Sequence, residues 1–193
     1  GDMGIPLGSC FAQMAKDKKT FKSFIPSMSL GPSFSDKYIE KMLKKNKRSF
    51  TRIKDKKSIM LKCLSENKVI GFFNGKMEYG PRALCNRSIV YHCRDITINS
   101  WLNKRLNRSE FMPFAPVTTI ELAKECFINW SENHYSADFM TVTYSVTEKF
   151  QKTCPAVVHI DGTARPQIVR KENNPILHSI ITQYHRESGE LAL

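Results

Sequence analysis

A mixed α/β fold is what this 193-residue sequence predicts, on three observations. Short apolar runs rich in β-branched and aromatic residues occur at 69–73, 139–146 and 156–160, the pattern of buried or half-buried strands. Segments with apolar residues at helical spacing lie among them, at 36–47, 98–107 and 174–186. Turn-forming pairs, Asn74-Gly75, Gly80-Pro81 and Asp161-Gly162, follow close on the strand-like runs.

The first twelve residues are rich in glycine and then turn apolar. Gly4 and Gly8 allow close backbone approach to a ligand or tight packing at a helix start. Residues 16–34 show no period and contain Pro26, Gly31 and Pro32, so a crossing linker is expected. Ser35-Asp36 then starts a helix whose apolar face is Ile39, Met42 and Leu43. Residues 41–57 are strongly basic, with only Asp55 opposing. Such a strip is either a nucleic-acid contact or a solvated face, and the lack of aromatics alternating with the charges favours the solvated face. A short helix at 58–66 leads into the first strand.

That strand exits into the stretch around which the chain is organised. Lys76, Glu78, Arg82, Asn86, Arg87 and Ser88 follow within a few residues of each other. Guanidinium groups grip phosphate or carboxylate through paired donors, and Arg82 and Arg87 supply two of them five residues apart. By spacing alone an oxyanion site and a charged surface loop are equally allowed.

Further on, residues 89–91 form a strand, and Asp95 or Thr97 caps the helix at 98–107. Ile98, Trp101, Leu102 and Leu106 make its apolar face, while Lys104, Arg105 and Arg108 project elsewhere. Pro113 and Pro116 hold an extended segment that runs into another strand. His134, in a polar loop with no partner at ligand spacing, is expected to be exposed. The strand at 156–160 contains His159, a core histidine or a catalytic one, and ends in Asp161, Thr163 and Arg165. Asn174 and Pro175 open the last helix, with a core stripe of Ile176, Leu177, Ile180, Ile181 and Tyr184. Residues 191–193 have the look of a strand cut short.

Composition narrows the function. Thirty Lys+Arg against 18 Asp+Glu give a net charge of +12, which favours phosphorylated substrates or nucleic acid. There is no apolar run long enough to span a membrane, and the opening residues lack a signal-peptide pattern. Six cysteines without a C-x-x-C pair support neither zinc nor redox chemistry. They suit buried thiols of a reducing compartment, so a cytoplasmic location is expected. The chain begins with glycine, as a piece of a longer protein would.

Three ordered motifs carry a specific resemblance. Gly75-Lys-Met-Glu-Tyr-Gly-Pro-Arg-Ala-Leu-Cys-Asn-Arg-Ser-Ile89, Asn103-Lys-Arg-Leu-Asn-Arg-Ser-Glu-Phe-Met-Pro-Phe-Ala-Pro116 and His159-Ile-Asp-Gly-Thr-Ala-Arg165 together resemble the C-terminal domain of the O-carbamoyltransferase family. That family includes nodulation-factor and antibiotic carbamoyltransferases. The resemblance implies a YrdC-like α/β domain over residues 31–193, a twisted open mixed sheet with flanking helices. Residues 1–30 are similar to the closing segment and linker of the family's N-terminal actin-like domain.

By the same resemblance, the domain binds carbamoyl phosphate and ATP and forms carbamoyl adenylate. An N-terminal actin-like domain, holding a divalent metal, then passes the carbamoyl group to a sugar-type hydroxyl. Carried onto this chain, Arg82, Arg87 and Arg165 are the reacting-site arginines. Lys76, Glu78, Ser88, Lys104, Arg105, Arg108, His159, Asp161 and Thr163 complete the substrate-binding set, and no metal ligand is expected here. The chemistry suits fixed cations, because two phosphorylated anions must be brought together. No nucleophilic triad is required.

Cys85 stands where the family usually has glycine, Met112 where many members have arginine, and His92-Cys93 where Asp-Pro is common. Two other readings stay open: an RNA-binding YrdC-like module, and a structural lobe inactive without its partner domain.

Overall fold

The computed structural model describes residues 4–19, 27–109 and 112–193. The expected linker therefore lies partly outside the described residues, as do the first three residues and Glu110 and Phe111 of the second motif. The chain divides into two compact units, Gly1–Lys56 with Gly71–Ser88, and Lys57–Ile70 with Ile89–Leu193.

In the first unit, α1 (Ile5–Lys16) starts after Gly4, which sits at φ 75 with Pro6 in the first turn. Gly4 thus occupies a left-handed position that other residues enter only at a cost. The second helix, α2 (Asp36–Lys45), begins as its sequence demands: the Ser35 hydroxyl accepts the Tyr38 N–H at 3.2 Å. Ile39, Met42 and Leu43 are its half-buried face. The stretch from Met28 to Pro32 is laced to the first motif by backbone bonds, Tyr79 N–H to Met28 O, Gly31 N–H to Met77 O and Met77 N–H to Pro32 O. Gly31 is needed there, since a Cβ would lie 2.9 Å from the Met77 carbonyl oxygen. Two strands, β1 (Ile70–Phe73) and β2 (Arg87–Val90), pair as a two-stranded sheet on either side of the motif.

The second unit opens with α3, which starts one residue earlier than that unit (Lys56–Ser65), and buries Met60 and Leu64. After β2 comes α4 (Ile98–Arg105). Thr97 is its N-cap but makes no side-chain cap bond; the Asp95 carboxylate instead holds the turn before the helix, accepting both the backbone N–H and the hydroxyl of Thr97 at 2.9 and 2.6 Å. Leu102 is the buried residue of α4, whereas Trp101 and Leu106, expected on its apolar face, are 51% and 42% exposed. The chain continues through β3 (Val117–Thr119), α5 (Ala123–Cys126), β4 (Tyr144–Ser145), α6 (Glu148–Thr153), β5 (Thr163–Ala164), β6 (Gln167–Val169) and α7 (Pro175–Ser188). β3 and β6 run parallel with Thr118 opposite Ile168, and β4 and β5 run antiparallel. On its other edge β3 meets the end of the chain, where Val117 and Leu193 exchange both backbone hydrogen bonds.

The α/β class holds, but the described strands form three two-stranded sheets and not one continuous sheet. Two expected strands are shorter than their sequence pattern. Residues 139–146 alternate well, yet Tyr135–Phe139 is a 3-10 helix and Met140 turns left-handed at φ 54. Only Tyr144–Ser145 and the Val146 bridge to Phe127 remain as strand. Residues 156–160 are equally misleading: Pro155 opens a 3-10 turn over Pro155–Val157. His159 therefore lies at a turn and not inside a strand.

The core of the second unit gathers Phe127, Trp130, Phe150, Val157, Ile168 and Leu191 around three thiols, Cys93, Cys126 and Cys154. Burial pushes the Cys93 and Cys126 thiols well up. The hydrogen bond from Cys93 draws Cys154 down. Helix α7 packs against β3 and buries Leu177, Ile180, Ile181 and Tyr184, its start capped by Asn174 and its end by Gly189 at φ 77. Just beyond it the buried Glu190 carboxylate accepts the Cys93 N–H, the Tyr184 hydroxyl and the Arg94 guanidinium. A pair buried on both sides, Arg170 with Asp138 at 2.7 Å, also holds the Glu132 carbonyl.

Candidate functional site

The first motif is a loop built around one carboxylate. Glu78 is 6% exposed, and its Oε1 accepts three backbone N–H groups, from Leu84 at 2.8 Å, Asn86 at 2.6 Å and Arg87 at 3.0 Å. A loop this irregular leaves backbone donors that no sheet or helix can satisfy, and a carboxylate is the strongest acceptor available to it. Asn86 supports the loop from its other side, its amide donating to the Lys76 carbonyl and the Ser29 hydroxyl, both at 2.8 Å. Ser88 accepts the Cys85 N–H at 3.0 Å.

Arg87 is tied in as firmly. Its guanidinium donates to the carbonyls of Asn74, Asn86 and Gly75 and lies 3.5 Å over the Phe73 ring. Arg82 is half-buried in the same loop and Lys76 is exposed. Cys85 adopts φ 69, which accounts for the glycine usual at this position in the family that the sequence resembles. Burial, and then the charge of Glu78, push its thiol up to about 12, so it is no nucleophile.

In the second unit the second motif is bonded to segments that flank the third. The Asn99 amide donates to the Ala156 carbonyl at 2.7 Å, and its oxygen accepts the Phe114 N–H at 3.2 Å. Phe114, in turn, carries Arg108, whose guanidinium carbon is 4.9 Å from the ring centre. Two residues on, the Pro116 carbonyl accepts the Gln167 N–H at 2.8 Å, where β3 joins β6. Arg165 sits between β5 and β6, half-buried. Arg105 lies 5.9 Å from the Trp101 ring centre, and Lys104 is exposed. α4 ends at Arg105, short of the expected 107, and Asn107 turns left-handed at φ 52, so Arg108 lies beyond the helix.

The third motif is a self-contained network. Asp161 Oδ1 accepts both the Thr163 N–H and the Thr163 hydroxyl, at 3.0 and 2.7 Å, and these bonds hold its carboxyl below the usual range. His159 Nδ1 is 3.0 Å from the same hydroxyl oxygen. His134 is exposed, as expected, and lies 3.3 Å from the Tyr144 hydroxyl.

Two hollows of the second unit are lined by none of the expected site residues. One, of about 560 Å³, has Tyr91, Asp95 and Trp101 on its wall. The other, of about 340 Å³, is lined by Glu121, His178 and Arg186 among others. Among the described residues, no group of three or more His, Cys, Asp or Glu side chains could hold a metal ion, and no helix is long and apolar enough to cross a membrane.

With this geometry in hand, comparison with known proteins decides the family. Residues 61–193 match the family model described as carbamoyltransferase C-terminus. The chain belongs to the carbamoyltransferase family.

A nodulation protein of Sinorhizobium fredii, NolNO, is 33% identical over 72% of this chain and 20% of its own length. The 3'-hydroxymethylcephem-O-carbamoyltransferase of Amycolatopsis lactamdurans is 32% identical over 66% of this chain and 23% of its own. An uncharacterized protein of Methanocaldococcus jannaschii is 34% identical over 98% of this chain and 36% of its own. The carbamoyltransferase chain thus spans about a third of the M. jannaschii protein and less of the other two.

Sequence reasoning overlooked Asn99 and the bracing work of Glu78. Nothing in the sequence separates Asn99 from its polar neighbours. Glu78, by contrast, was open to suspicion as a lone acid in a loop whose other charges are basic.

Proposed function

We propose that this domain binds carbamoyl phosphate and ATP and forms carbamoyl adenylate, which a further domain of the parent enzyme passes to an acceptor hydroxyl. In balance, carbamoyl phosphate, ATP and one water yield carbamoyl adenylate, pyrophosphate and phosphate. The observation that carries the reading is the junction in the second unit: the segments bearing Arg108 and Arg165 are bonded to each other through Pro116 and Gln167. Arginines on two distant parts of the sequence that are joined at one strand pair suit an anion with several phosphoryl oxygens.

In this reading Arg82 and Lys76 are the ligand-binding cations of the braced first motif, within its own unit. Arg87 and Glu78 keep that loop in shape, and Ser88, Lys104, Arg105, Asp161 and Thr163 belong to the binding set. The acceptor is a sugar-type hydroxyl, and the cephem relative, by its name, carbamoylates a hydroxymethyl group. Transfer itself calls on the actin-like domain and its divalent metal. Titration calorimetry with carbamoyl phosphate and ATP on this chain tests the proposal. Arg165→Ala and Arg82→Ala are each expected to lower carbamoyl phosphate affinity at least about tenfold, as loss of a charge-assisted contact does. Wild-type affinity in either variant would remove that residue from the site.

A second reading rests on α2. Phe34 and Tyr38 stack at 5.3 Å, are 46% and 48% exposed, and stand beside the basic strip together with the exposed Phe50. Exposed rings among cations are what single-stranded RNA uses. RNA affinity that falls steeply with salt and ignores ATP would favour it.

A further inference from the structure

We infer that His159 reads the amide end of the carbamoyl group, accepting one of its N–H bonds at Nε2 and so selecting carbamoyl phosphate over acyl phosphates that lack that donor. The inference rests on the function proposed above and concerns the choice of donor substrate.

The argument follows hydrogen-bond polarity around the third motif. An ionised carboxylate only accepts. Thr163 lies 2.7 Å from Asp161 Oδ1 through its hydroxyl, so that hydroxyl donates its single proton to Asp161. What remains at Thr163 Oγ1 is lone pairs. His159 Nδ1, 3.0 Å away, must therefore be the donor of the bond between them. In the neutral ring this places the proton on Nδ1 and leaves Nε2 as an acceptor.

Among the described residues no hydrogen bond engages that second nitrogen, and the ring is half-buried. The backbone holds the ring in place from both directions: His159 N–H donates to the Thr163 carbonyl at 2.7 Å, and Gly162 N–H donates to the His159 carbonyl at 3.0 Å. Gly162, at φ 75, closes this turn. Asp161 thus acts two hydrogen bonds away from the ring, by fixing the tautomer.

Position connects the acceptor to the anion site. Thr163 opens β5 and Arg165 follows it by two residues, with Pro166 confining residue 165 to an extended conformation. In an extended chain residues two apart leave the same face. The side chain that orients His159, on β5, and the arginine assigned to phosphate, just past its end, therefore leave the same side of one extended segment. A carbamoyl phosphate gripped at its phosphate by Arg165 carries its NH2 a few atoms away. An acceptor nitrogen matches that group, whereas a methyl group in its place would leave the nitrogen without a partner.

The test compares carbamoyl phosphate with acetyl phosphate by calorimetry on the full chain. Wild type should bind carbamoyl phosphate roughly tenfold or more tightly than acetyl phosphate, the scale of one well-placed hydrogen bond. His159→Leu should lose that preference while keeping its affinity for acetyl phosphate, a result that general damage to the site would not give. Nitrogen NMR of the imidazole should show Nδ1 protonated and Nε2 bare in wild type, and Thr163→Val should shift the proton toward Nε2 and weaken the preference. Equal affinity for the two phosphates in wild type, an undiminished preference in His159→Leu, or a wild-type ring protonated at Nε2 would each overturn the inference and leave the carbamoyl adenylate reading standing. A wild-type chain that binds neither phosphate ends both.

Discussion

Glu78 has three backbone amides on a single carboxylate oxygen, and what it does for the loop can be measured. Replacing it with alanine removes the acceptor that the N–H groups of Leu84, Asn86 and Arg87 share. Each buried donor left unmade costs about 1–3 kcal/mol. Glu78→Ala is expected to lose at least about 3 kcal/mol of stability, on the scale of those donors. Glu78→Gln keeps an oxygen in place and should lose distinctly less, since only the charge assistance goes. Urea unfolding of the two variants checks the order; equal losses would mean that the charge and not the acceptor geometry holds the loop. Arg87 makes the complementary point. Its fork is largely spent on three carbonyls of its own loop, so an arginine in a recognisable motif is not thereby a ligand residue. The sequence displays both side chains but not which way they turn, because backbone groups that need partners are invisible until the loop is built.

At the scale of elements, the legible parts are those governed by local chemistry. The Ser35 cap, the Asn174-Pro175 start of α7 and the stripe of Leu177, Ile180, Ile181 and Tyr184 follow from neighbouring residues alone, and all appear as expected. Strands fared worse. The alternation at 139–146 survives only at Tyr144–Ser145 because Met140 adopts φ 54, a tertiary demand that no period announces. The pairing of residues 28–32 with the first motif was equally hidden, since it joins distant segments of the chain through backbone groups. Gly31 is its sensitive point. Gly31→Ala would place a methyl carbon 2.9 Å from the Met77 oxygen, and backbone cannot yield as a flexible side chain does. A loss of about 1–3 kcal/mol is expected in thermal or urea unfolding, the range of overpacked sites. No change would show that the two segments part easily.

For the molecule as a whole, the resemblance carried by the three motifs pointed to the carbamoyltransferase family, and the family match bears this out. They could not divide the chain into its units. One unit is assembled from residues 1–56 and 71–88, so the boundary crosses the chain three times. Periodicity describes neighbours in sequence, and such a division depends on contacts between parts that are far apart in it. The predicted site residues divide in the same way: the Glu78 loop belongs to the first unit, and the Asn99, Arg108 and Arg165 segments to the second. The basic excess was plain from the sequence, but the exposure of Phe34 and Tyr38 beside it was not.

The cysteines give each unit a chemical clock. Cys10 is exposed and Cys63 half-buried, while Cys85 is the buried thiol of the first unit and Cys93, Cys126 and Cys154 lie inside the second. A thiol shut away from solvent is alkylated only when its surroundings open. Iodoacetamide should therefore label Cys10 at once and reach the four buried sulfurs only as urea rises, with peptide mass spectrometry recording the order. Modification of Cys85 at a lower urea concentration than the other three would mean that the first unit opens by itself; simultaneous modification of all four would mean that the two melt together.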